Sequence, residues 1–180
     1  MRKAADMLNV QVEIAQEISE RLRLRLSGEE KERLAKRYTQ SSEAYSLYMR
    51  GRYFRRKGTK EAFEKSIDLL EQATKKDPSY APAFAELGEV YRNISWRGLA
   101  LPKEVRQQEE LAALRALQID DTLAEAHVVM ANIKEIDFDW PGAEQEYKRA
   151  LELDQTRSEL SPRMHDIWKY SAGSMKRCSV

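Results

Sequence analysis

Ala83-Phe84-Ala85-Glu86-Leu87-Gly88-Glu89-Val90-Tyr91 is the stretch on which the reading of the chain turns. Phe84, Leu87, Gly88 and Tyr91 stand at the spacing aromatic-x2-Leu-Gly-x2-Tyr, which places them on one face of a helix. Pro82 just upstream suits a first helical turn, where a missing N–H costs little. The same arrangement recurs on both sides, so the stretch reads as the middle of three stacked helix pairs.

The first pair, residues 42–78, carries Leu47, Gly51 and Phe54 on its first helix. Ser66, Leu70 and Ala73 lie on its second, and Asp77-Pro78 closes it. Gly51 and Ala73 are small because two helix backbones approach closely there. Ser42 and Thr59 are the expected N-caps. The second pair, 79–121, has a second helix opening near Pro102 with Ala113, Leu114 and Ala116 turned inward. Its two helices stand further apart in sequence than in the third pair. The extra length, Ile94–Leu101, reads either as a binding loop or as longer helices with Trp96 packed locally.

The third pair, 122–154, is the most regular: Thr122 and Glu125 match a capping box. His127, Met130 and Ala131 fall on its first helix face, and Ala143, Tyr147 and Ala150 on the second, which Asp139 caps ahead of Trp140-Pro141. Residues 1–41 read as an N-terminal helical segment, a cap or the end of an upstream domain. After Asp154 the register fails, so 155–180 reads as a degenerate fourth unit or a disordered tail.

Composition narrows the function. Charged residues make up 34% of the chain, yet 31 Lys+Arg nearly cancel 30 Asp+Glu, leaving a net charge of +1. That balance supplies no global pull toward nucleic acid or an anionic membrane, so neither is expected as a partner. The one cysteine, Cys178, excludes an internal disulfide framework. No run approaches the ~18 apolar residues that span a bilayer. The chain reads as soluble, with a cytoplasmic location favoured.

No catalytic or metal-binding constellation emerges, so no enzyme, metal or cofactor is expected. His127 reads as a core residue, and His165 has no neighbouring ligands. Asp137-Phe138-Asp139 lacks the glycine and remaining ligands of a calcium loop and reads as a turn with an N-cap. Glu29-Glu30 and Glu109-Glu110 read as solvated helix faces.

The three pairs over 43–154 resemble tetratricopeptide repeats, on Phe84-Leu87-Gly88-Tyr91 together with Ala73, Ala116 and Ala150. The resemblance implies a right-handed all-α solenoid that acts as a protein–protein interaction scaffold. A weaker resemblance covers residues 10–58, through Gln11-Val12-Glu13-Ile14-Ala15, Arg33-Leu34-Ala35, Glu43-Ala44-Tyr45 and Gly51-Arg52-Tyr53. It is to a bacterial family in which a TolB-like domain leads into such repeats within signalling and regulatory proteins. The start inside that pattern, and its loss after Asp154, read as a fragment of a longer array.

Tetratricopeptide repeats bind partners in a concave groove lined by their first helices. The groove positions implied here are Tyr45, Tyr48, Arg52 and Arg55, then Pro82, Ala85, Glu89 and Arg92, then Glu125, Val128, Asn132 and Glu135. Tyr and Arg anchor interfaces well because they bury area and still hydrogen-bond. A peptide or partner helix with an acidic group near Arg52 and Arg55 is therefore the expected partner. Chaperone-binding repeats hold a C-terminal carboxylate with a Lys/Asn clamp; Tyr48 and Arg52 stand in those places here and depart from it. Two alternatives are a self-association module, its groove filled by its own chain or a second copy, and a nucleic-acid module. The second rests on Arg50, Arg52, Arg55, Arg56 and Lys57.

Overall fold

A computed structural model of the protein describes residues 38–154. Six helices follow one another: α1 (Ser42–Lys57), α2 (Lys60–Lys76), α3 (Ala81–Trp96), α4 (Pro102–Ile119), α5 (Ala124–Ile136) and α6 (Trp140–Leu153). Successive helices pack most closely as the pairs α1/α2, α3/α4 and α5/α6, and each pair stacks on the next. With no strand among the described residues, the architecture is an all-α helical repeat solenoid. The segments expected over 1–37 and 155–180, with Glu29-Glu30, His165 and Cys178, lie outside the described residues.

The helix ends follow local hydrogen bonding. Ser41, rather than Ser42, caps α1: its backbone is extended and its Oγ accepts from the Ala44 N–H at 3.1 Å. Thr59 accepts likewise from Ala62 at 3.2 Å, and Asp139 from Gly142 at 3.0 Å. Gly58 ends α1 with φ 71, a left-handed backbone that glycine adopts without a Cβ clash. The expected Thr122/Glu125 capping box does not form. The Thr122 hydroxyl and N–H both donate to Asp120 Oδ1, at 2.7 and 3.1 Å, and α5 begins only after Leu123. Ser79 makes the same two bonds to Asp77 Oδ1, at 2.6 and 3.0 Å, so one aspartate-centred turn joins each unit to the next.

The core is built largely from small residues that let helices approach. Phe63, Leu69 and Leu70 fill the first unit, Ala83, Val90, Ala113 and Ala116 the second, and Val129, Tyr147 and Ala150 the third. Leu87 is buried, with Phe84 and Tyr91 half-buried beside it. Leu114 turns to solvent rather than inward, because the buried stripe of α4 runs through Val105, Glu109, Ala112, Ala113 and Ala116.

Two glycines mark the closest approaches. A Cβ at Gly51 would lie 2.7 Å from Leu70 Cγ, and one at Gly88 2.8 Å from Val129 Cγ1. Ser66 Oγ also donates to the Gly51 carbonyl at 2.8 Å, tying α2 to α1. Gly51→Val is expected to destabilise the protein by about 1–3 kcal/mol, since Leu70 is fully buried and has little room to move. Gly51→Ala should cost less, because alanine recovers about 1 kcal/mol of helix propensity. Urea unfolding of both variants checks this; equal stability of the valine variant and the wild type would refute the close-approach reading.

Candidate binding groove

Helices α1 and α3 and the start of α5 enclose a cavity of about 230 Å³. The first unit contributes Tyr38, Tyr45, Tyr48, Met49 and Arg52. Tyr80, Pro82, Ala85, Glu86 and Glu89 come from the second, and Leu123 and Glu125 from the third. Tyr48 and Tyr80 meet edge to face with ring centres 5.1 Å apart, and the Arg52 guanidinium lies 5.5 Å from the Tyr48 ring centre. Burial pushes the Tyr48 hydroxyl up to about 12, against the lowering field of Arg52, and raises the Tyr80 hydroxyl further. Both phenols therefore stay neutral at physiological pH. The wall is thus aromatic on one side, with Arg52 beside it and the carboxylates of Glu86, Glu89 and Glu125 completing the lining.

The two arginines expected to receive an acid are not equivalent. Glu86, absent from the expected groove set, is buried between them. Arg55 Nε lies 2.5 Å from Glu86 Oε1, whereas Arg52 Nε stands 3.7 Å from Glu86 Oε2 and has no hydrogen-bond partner. Arg55 is committed to Glu86, while Arg52 lines the cavity against the Tyr48 ring and meets Glu86 only at longer range. Glu86 was detectable in principle: it follows Pro82 by four residues and precedes Glu89 by three, so it shares their helical stripe. Met49 was detectable in the same way, four residues after Tyr45 and three before Arg52 on α1, whereas Tyr38, Tyr80 and Leu123 come from loops and helix flanks, where helical spacing carries no information.

The other predicted positions divide. Pro82, Glu89 and Glu125 line the cavity, and Ala85 forms its floor, buried against Ala116, Leu123 and Ala126. Arg92 donates to Glu89 Oε2 at 2.8 Å, within α3. Val128 and Asn132 are buried instead of facing open space. Asn132 Nδ2 donates to the Val128 carbonyl at 2.8 Å, and its Oδ1 lies 2.8 Å from the Tyr147 hydroxyl. Glu135 Oε2 lies 3.0 Å from the same hydroxyl. In the third unit these side chains turn toward α6, whose tyrosine recruits them.

Behind the groove lies a carboxylate the sequence had assigned to solvent. Glu109 is only 2% exposed, and its Oε1 has no hydrogen-bond partner. Burial pushes it up to about 7, despite the opposing fields of Arg92 and Arg106. Glu109 lies on the buried stripe of α4, whose backbone passes close to Gly88 of α3. His127 is likewise not a purely apolar core residue. Its Nδ1 meets Glu146 Oε2 at 2.7 Å and its Nε2 meets the Asp121 carbonyl at 2.8 Å. The Glu146 hydrogen bond raises the imidazole above its usual value, and Glu146 is lowered in turn. Among the described residues no group of three or more His, Cys, Asp or Glu could hold a metal ion.

No protein-family model and no curated protein matches this sequence. Among solved structures, the chain is similar to the first TPR of Spaghetti (RPAP3) bound to the HSP90 peptide SRMEEVD. The TM-score is 0.61 at 16% identity, over 75% of this chain and 98% of that one. It is also similar to the first TPR domain of human RPAP3, with TM-score 0.61 and 17% identity over 77% and 98% of the two chains. At those identities the likeness speaks to architecture: this chain has the fold of a tetratricopeptide-repeat domain.

Proposed function

We propose that the protein is a non-enzymatic scaffold that seats a peptide or a partner helix in the groove between α1, α3 and α5. The observation that carries this reading is the meeting of the Tyr48 and Tyr80 rings and the Arg52 guanidinium in the lining of one cavity. A partner presenting an apolar side chain to Tyr48 and Tyr80, with a carboxylate alongside, would satisfy both. The peptide bound to the RPAP3 repeat in the solved complex supports a peptide ligand for this architecture. The acidic group engages Arg52, while Arg55 with Glu86 braces it from behind. The TolB-like context resembled by residues 10–58 would make this scaffold the connecting module of a larger regulatory protein.

A peptide array probed with the full chain tests the proposal. Bound sequences are expected to pair an apolar side chain with a neighbouring carboxylate. Arg52→Glu should weaken their binding by roughly tenfold or more, since a like charge then faces the ligand. Arg52→Lys should retain part of it. Binding that is indifferent to Arg52→Glu would reject the groove assignment, as would a groove found by cross-linking from Met49 to hold only the protein's own chain.

A further inference from the structure

The three turns inside the helix pairs lie along one edge of the solenoid, and that edge differs from the rest of the surface. Arg97, after α3, reaches back to the first turn, its guanidinium carbon 3.0 Å from where a Cβ on Gly58 would stand. Arg106, one turn into α4, forms an ion pair with Asp137 in the third turn. The turns are therefore neighbours. Trp96 is 76% exposed, Leu101 54% and Phe138 75%. Phe138 also holds a left-handed backbone, φ 61, which a bulky residue adopts at a cost of order 1–3 kcal/mol. Neither Trp96 nor Phe138 is buried in the core, although Phe138 meets Trp140 edge to face with ring centres 5.8 Å apart; with Leu101 they form an apolar group on one edge.

The charges on this edge are as uneven as its hydrophobicity. Arg56, Lys57, Lys60, Arg97 and Lys103 are all exposed. None of the five forms an ion pair among the described residues; Lys57 and Arg97 lie over aromatic rings instead. Of the nearby carboxylates, Glu104 accepts from the Leu101 N–H, Asp137 pairs with Arg106 and Asp139 caps α6, while Glu61 stands exposed beside Lys60. The opposite edge, where units join, carries Asp77, Asp120, Asp121 and Asp154 together with Lys75 and Lys76, the second paired with Glu43. Among the described residues, cations without ion pairs thus gather beside aromatic side chains on the first edge.

We propose that the edge bearing Trp96, Leu101 and Phe138 is a peripheral docking surface for an anionic lipid bilayer. Trp and Phe favour the headgroup boundary, and Lys and Arg beside them gain from the negative surface potential. The apolar side chains come from the second and third turns and the exposed cations from the first and second, so the patch spreads over neighbouring turns, which suits a broad anionic surface. No described helix is long and apolar enough to cross a membrane, so the association is superficial and reversible. It is independent of the groove, which lies between first helices.

Co-sedimentation of the full chain with phosphatidylcholine vesicles, with and without phosphatidylserine, tests the proposal. Binding is expected only with phosphatidylserine, and it should fall as salt rises. Trp96→Ser with Phe138→Ser, and separately Arg97→Glu with Lys103→Glu, should each weaken it about tenfold or more. Circular dichroism should show both variants folded, because these side chains are exposed. No retention on anionic vesicles would overturn the proposal, and so would retention unchanged in both variants, which would place the contact elsewhere. A dimer seen by light scattering and lost in the variants would give the edge to a second copy and also refute it.

Discussion

Tyr147→Ala is expected to destabilise the protein by about 4 kcal/mol, the largest single-site effect in the described residues. Tyr147 is fully buried among Val128, Ala131, Ala143 and Ala150, all short side chains that cannot collapse into the space its ring would leave. Its hydroxyl proton is shared between Asn132 Oδ1 at 2.8 Å and Glu135 Oε2 at 3.0 Å, so truncation also removes the donor that orients both. Tyr147→Phe keeps the ring and should cost only about 1–2 kcal/mol. Because stacked units exchange stability chiefly with neighbours, the loss should be uneven along the chain. Native-state hydrogen exchange should show amides of α5 and α6 opening first, with α1 and α2 still protected. Equal loss of protection throughout would mean that the three pairs unfold as one block.

The second large effect is a dependence on pH centred on Glu109. Its carboxyl is pushed up to about 7 in the folded protein, from an ordinary value of 4.5. Below the ordinary value both folded and unfolded chains hold the proton, and Glu109 imposes no ionisation penalty. As pH rises through that range the unfolded chain releases its proton while the folded one retains it, and stability falls until the folded group also ionises near pH 7. The shift corresponds to a loss on the order of 3 kcal/mol across this window. Glu109→Gln mimics the protonated form and removes the penalty. Its melting temperature should match the wild type near pH 4.5 and exceed it by about 5 °C or more at pH 8. Parallel melting profiles for the two proteins across that range would disprove the buried-carboxylate account. His127 contributes with the same sign at higher pH: its raised imidazole stabilises below its ordinary 6.5, and that contribution disappears as pH climbs through the folded value.

Glu109 shows why much of the fold was legible in the sequence and part of the site was not. Helix existence, the pairing of helices and the small residues between them follow from spacing, and spacing is a property of the chain. Gly51, Gly88, Ala73, Ala116 and Ala150 were each recognisable because a helical period leaves one face for the neighbour. Glu109 and Glu110 look alike in sequence, yet one is enclosed and the other exposed. Their difference is 100° of rotation about α4, and only the position of α3 turns that rotation into burial. Leu114 reversed in the opposite sense for the same reason: a leucine between inward alanines faces solvent when the stripe passes beside it. Helix starts were misjudged by a residue or two where a side chain had two possible tasks. Ser41 took the cap expected of Ser42, and Asp120 took the hydroxyl expected to cap α5.

The groove divides along the same line. Of the positions implied by the resemblance, Tyr45, Tyr48, Arg52, Pro82, Ala85, Glu89 and Glu125 line one cavity, since residues on one helical face stay together where first helices stack side by side. Periodicity could not separate Arg52 from Arg55, because their difference lies in Glu86, thirty-one residues beyond Arg55 and on another helix. Nor could it show that Val128 and Asn132 are drawn inward by Tyr147. The sequence by itself determined that this chain stacks helix pairs around the Ala83–Tyr91 stretch, because those interactions repeat locally at a helical period. The tertiary structure alone decided which arginine Glu86 holds, which glutamate is buried and which exposed cations gather beside Trp96 and Phe138. These depend on distances between residues of different units, and through space electrostatics and desolvation act without regard to sequence separation.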